Sequence, residues 1–151
     1  MNPKIDWFEI FFSSSGRVGA VRFTIAALLL LLVLGVYDST FKGTMPWLSF
    51  VVYAPLLFCG ACVLSKRLHD RGRSGWWSAV ILLAVAMVWP GPEGFLDFVA
   101  VLVLVWAVID LCVMPGERGN NRYGASPHRL AADQAWTSTG PKIASKLRRS
   151  A

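Results

Sequence analysis

Apolar and polar positions fall in blocks along this chain. Residues 23–37 (FTIAALLLLLVLGVY) carry no charge, and neither do residues 43–65 or 74–92. Residues 94–116 carry only Asp97 and Asp110. A hydrocarbon core about 30 Å thick takes about 20 helical residues at about 1.5 Å each. The second and fourth blocks are long enough and the third just reaches. The first reaches if Arg22 snorkels and lets residues 18–20 contribute. Open strands would leave backbone groups unpaired in lipid, so the blocks predict helices. The expected fold is an all-α membrane protein with four transmembrane helices. A short amphipathic interfacial helix precedes them within residues 4–15, where Ile5, Phe8, Phe11 and Phe12 recur at helical spacing.

The breaks between blocks support this division. Residues 13–16 (SSSG) interrupt the chain before the first span. Pro55 predicts a kink inside the second. That helix should run on to Leu68 or Asp70 and stop at Gly72, with Ser74 capping the third. Pro115 and Gly116 end the fourth. Trp47, Trp76, Trp77 and Trp89 stand at block ends, where indoles anchor helices among headgroups.

Charge sets the orientation. All but Lys42 of the 15 lysines and arginines fall before the first block, between the second and third, or after the fourth. The positive-inside bias therefore predicts cytoplasmic N and C termini. A cleaved signal peptide fits the first block poorly, because Asp6 and Glu9 precede it and no A-x-A-like site follows. With 55% hydrophobic and 16% charged residues, the chain has too little polar surface for a soluble domain. Its net charge of +6 reads as topology and attraction to anionic lipid rather than to nucleic acid. Residues 1–127 are expected to form the membrane domain and 128–151 a flexible basic tail.

One polar stretch asks for more than topology. Residues 65–77 read SKRLHDRGRSGWW. Topology needs the cations but not His69 and Asp70 between them. Nor does it need the turn-rich PGERGNNRYG at 115–124, with Gly116, Gly119, Gly124, Asn120 and Asn121. The stretch RLHDRGRSGWW at 67–77, PG-x-x-G-x-NRYG-x-x-P at 115–127, and Gly16–Arg17 before the first span together resemble the bacterial inner-membrane family known as domain of unknown function 805. The resemblance covers residues 7–127. It implies a small multi-spanning protein of the cytoplasmic membrane, and it implies no activity.

All three segments are expected at one membrane face. There Asp70 and Asp110 would balance Arg17, Arg67, Arg71 and Arg122 in a polar cap. His69, Arg73, Asn121 and Tyr123 complete the candidate set of cap or lipid-headgroup contacts. Cys59 and Cys62 form C-G-A-C in an apolar run, which reads as small-residue helix packing rather than a redox pair. No cofactor, metal site or catalytic residue is expected, and His69 reads as a loop hydrogen-bonder. The expected partners are the bilayer with its anionic lipids, and a second copy or another membrane protein. The expected role is a non-enzymatic interaction or scaffold protein. The alternative is a subunit of a small oligomeric channel or transporter that uses Asp110 and the arginine cluster, and a lipid-phosphate enzyme using His69 ranks below both.

Overall fold

The computed structural model describes residues 7–41, 43, 46–88, 94–127 and 136. Its helices are α1 (Trp7–Phe12), α2 (Ala20–Thr40), α3 (Ser49–Asp70), α4 (Trp77–Val88) and α5 (Phe95–Val108). A single 3-10 turn, Pro46–Leu48, leads into α3, and a π-wound turn, Ile109–Val113, extends α5.

The expectation of four transmembrane helices is corrected. Among the described residues, three helices are long and apolar enough to cross a membrane: Ala20–Thr40, Ser49–Asp70 and Phe95–Val113. α4 has 12 residues, or about 18 Å at about 1.5 Å per residue, well short of a core about 30 Å thick. Hydropathy counted Ser74, Gly75 and Trp76 toward this span, but they form a turn. Trp77 and Ser78 donate to the carbonyls of Ser74 and Gly75, i to i−3. Trp89 and Pro90, taken as the span's far end, lie outside the described residues. So does the tail at 128–151 apart from residue 136. Among the described residues the N-terminal helix is Trp7–Phe12 and residues 13–15 lie beyond it, whereas residues 4–6 of the expected segment, Ile5 included, lie outside the described residues.

α3 is the hub, with α1, α2 and α4 packed on it. α4 pairs with α5, and α2 meets the π-wound turn. The buried core joins Phe23 and Ala26 of α2, Val63 and Leu68 of α3, Ile81 of α4, and Ala107 and Leu111. Gly60 faces α4, where a Cβ would make ordinary contact with Leu82 at 3.4 Å. The flanking Cys59 and Cys62 are buried free thiols. Leucines such as Leu28 and Leu32 point outward, as apolar helices do when their solvent is lipid. At the end away from Asp70, Tyr37 and Ser49 hydroxyls lie 2.9 Å apart and the Tyr53 hydroxyl donates to Asp38 at 2.5 Å. These bonds join α2 to α3.

Candidate functional site

The site forms where the C-terminal ends of α3 and of the π-wound turn meet residues 17–19, ahead of α2. Its centre is Asp70, the last residue of α3 and 3% exposed. Arg67, one turn earlier, pairs with one carboxylate oxygen of Asp70. Arg17, 53 positions away in sequence, pairs with the other through Nε at 3.0 Å. Both guanidiniums are enclosed, with side chains 0% and 1% exposed. Buried ions of this kind persist only when paired and hydrogen-bonded on every side.

The remaining donors are spent on main-chain carbonyls, and the sequence explains why those carbonyls are free. The last carbonyls of any helix lack an i+4 donor. For Leu111 that donor would fall at Pro115, which has no N–H. Arg67 replaces it, donating from Nε to Leu111 O at 2.7 Å and from Nη2 to Met114 O at 2.5 Å. Arg71 donates from Nη1 to Pro115 O at 2.5 Å. Cations placed on a helix C-terminus also oppose its negative dipole end. Arg17 donates to Gly119 O at 2.7 Å and also to Glu117 O. One arginine thereby ties the N-terminal flank to the 115–124 loop.

Two glycines make the approach possible, for different reasons. Gly72 has φ +68° and turns the chain out of α3 in a conformation that costs other residues. Gly116 has no positive φ, yet a Cβ there would sit on the Asp70 carboxylate. The adjoining Glu117 N–H donates to Asp70 O at 2.9 Å.

A second ion cluster adjoins the first. Asp110, 4% exposed, lies in the π-wound turn. Its Oδ1 pairs with Arg71 Nη2 at 2.9 Å and with Arg73 Nη2 at 3.5 Å. Arg71 Nε and Asp110 Oδ2 are both buried without a hydrogen-bond partner. They belong to the same pair, which therefore makes one of the two bonds that a bidentate arrangement would supply.

The rim carries the other candidate residues. His69 stacks on Tyr123 with ring centroids 3.8 Å apart. Its Nδ1 lies 3.3 Å from Gly16 O and its Nε2 3.5 Å from Ser65 Oγ. Asn121 Nδ2 donates to His69 O at 2.9 Å. Asn121 and Gly124 also exchange main-chain bonds in an isolated bridge that shapes the loop. Arg122 differs from the expected balance: it is exposed over the Tyr123 ring at 4.8 Å and faces neither carboxylate cluster. Trp47 and Trp76 are 73% and 83% exposed, and Trp77 is half-buried against Trp106.

Sequence reasoning passed over Lys66. It is 3% exposed, donates to Glu9 O at 2.6 Å, and so holds α1 against α3. The available signal was its place inside the last turns of an apolar helix, where a buried lysine needs a partner. Among the described residues, no group of three or more His, Cys, Asp or Glu side chains is placed to hold a metal.

Comparison with known proteins adds identity but no chemistry. A family model described as "Protein of unknown function (DUF805)" matches residues 11–125. Two proteins described as "Uncharacterized protein YiiR", from Escherichia coli strains K12 and O157:H7, are each 40% identical over 79 residues. The alignment covers 46% of this chain and 53% of each relative, so the chain spans about half the length of the curated relatives it matches. No solved structure matches it significantly. With apolar helices long enough to cross a bilayer and a family match over most of its length, this membrane-associated chain belongs to the DUF805 family.

Proposed function

We propose that this protein is a non-enzymatic interaction or scaffold protein of the bacterial cytoplasmic membrane. Its polar cap lies at the cytoplasmic face, with the rim in contact with anionic lipid. The observation that carries the reading is the clasp of Arg17 and Arg67 on Asp70, whose two guanidiniums also donate to Gly119 O and Leu111 O and so tie three sequence-distant segments into one surface. The clasp is internally saturated, so its arginines act on the fold and leave recognition to the rim. Exposed Arg118 and Arg122 give that rim its charge, and cationic segments favour the cytoplasmic, anionic leaflet.

Asp110 favours a second reading, a subunit of a small oligomeric channel or transporter. Its Oδ2 is a buried acceptor without a partner at the end of a spanning helix. Ion flux into proteoliposomes separates the two. A scaffold passes no more ions than protein-free vesicles, in wild type and in Asp110→Asn alike. Flux in wild type that Asp110→Asn abolishes would replace the first reading with the second.

A further inference from the structure

We propose that the groove between α4 and α5 seats one acyl chain of an anionic phospholipid whose phosphate is held by Arg73. The inference rests on the reading of the cap as a lipid-contacting surface, and it names the lipid class and the place. The groove is lined by Trp77, Val80, Val99, Leu102, Val103 and Trp106 and has a volume of about 350 Å³. A helix about 10 Å across would rest on its rim with only side chains inside.

Charge complementarity selects the headgroup. Four guanidiniums, those of Arg17, Arg67, Arg71 and Arg73, converge on the two buried carboxylates of Asp70 and Asp110. Arg17 and Arg67 are enclosed and Arg71 is 20% exposed, whereas Arg73 is 37% exposed. Arg73 shares an Asp110 oxygen that Arg71 already holds at shorter range, 2.9 Å against 3.5 Å. The surplus positive charge therefore emerges at Arg73. Its guanidinium lies 4.8 Å over the ring of Trp106, a wall of the groove. At that distance the indole face attracts the cation, and the guanidinium N–H groups turned away from Asp110 are free to meet a phosphate. Trp76, 83% exposed and next to the groove residue Trp77, suits the headgroup layer. The larger apolar cleft of about 650 Å³ between α2 and the other helices has no cation among its lining residues.

The test is native mass spectrometry of the full chain in detergent with equal amounts of phosphatidylglycerol and phosphatidylcholine. Wild type should retain one phosphatidylglycerol in preference to phosphatidylcholine. Arg73→Gln should lower that preference roughly five-fold, the loss of one cation–lipid contact. Arg22→Gln, on the exposed first turn of α2, should stay within about two-fold of wild type. Phosphatidylglycerol with brominated chains should quench tryptophan fluorescence more in wild type than in Arg73→Gln. Preference kept in Arg73→Gln overturns the site and leaves the lipid-contact reading standing. Equal losses in the two variants overturn it in favour of diffuse attraction, and no preference in wild type overturns both. If Arg73→Gln does not fold, Arg73→Lys keeps the charge without the planar fork. It should lose about half the preference, and no change there overturns the site.

Discussion

Asp70 has more depending on it than any other side chain in the cap. It is buried, and it neutralises two buried guanidiniums from different segments. Removing one partner of a buried ion pair strands the other charge, a loss of about 3–5 kcal/mol. Asp70→Ala should therefore sharply reduce the folded fraction, read as earlier unfolding in a denaturing-detergent titration and less protein in membranes. Wild-type midpoints in Asp70→Ala would show that the clasp contributes little. The glycines offer a paired comparison: Gly116→Ala should be destabilised because its Cβ meets the Asp70 carboxylate. Gly119→Ala, with nothing within 4 Å of its Cβ, should melt close to wild type. Residue types reveal only part of such a site. The surplus of His69 and Asp70 over what topology requires is legible at 67–71. That Arg67 serves Leu111 O, and Arg17 serves Gly119 O, is not, because every residue carries the same carbonyl and only the fold selects one.

At the scale of elements, hydropathy marks the long helices well and the short one poorly. α3 ends at Asp70 before Gly72, where a positive-φ residue and a run of polar side chains both signal a stop. α4 is shorter than its apolar block because apolar composition does not distinguish a helix from a turn of Ser74, Gly75 and Trp76. The π-wound turn at Ile109–Val113 left no pattern in the sequence; Pro115 beyond it removes the donor that would keep the ladder regular. α1 has six residues, too few to hold a helix in isolation. Its stability must come from docking, through buried Ile10 and the Lys66 bond to Glu9 O. Lys66→Met keeps the apolar stem and removes the ammonium. Amide exchange over Trp7–Phe12 should then speed up while α2, α3 and α5 keep their protection. Unchanged exchange in α1 would assign its docking to its apolar contacts, Ile10, Phe11 and Phe12.

For the molecule as a whole, the parts are arranged so that the arginine clusters collect at one end of a largely apolar bundle, with Asp38 at the other. The N-terminal flank, the α3–α4 turn and the 115–127 loop are distant in sequence and joined by Arg17, Arg67 and Arg71. That single-ended arrangement is the central claim, and sidedness tests it most directly. Single cysteines replace Ser15, Trp76 and Asn120 in turn, in a chain whose Cys59, Cys62 and Cys112 are changed to alanine. Each variant is treated with a membrane-impermeant maleimide in spheroplasts and in inverted vesicles. All three positions should label in inverted vesicles and stay protected in spheroplasts. Labelling of any one of them from the opposite side to the other two would contradict the account.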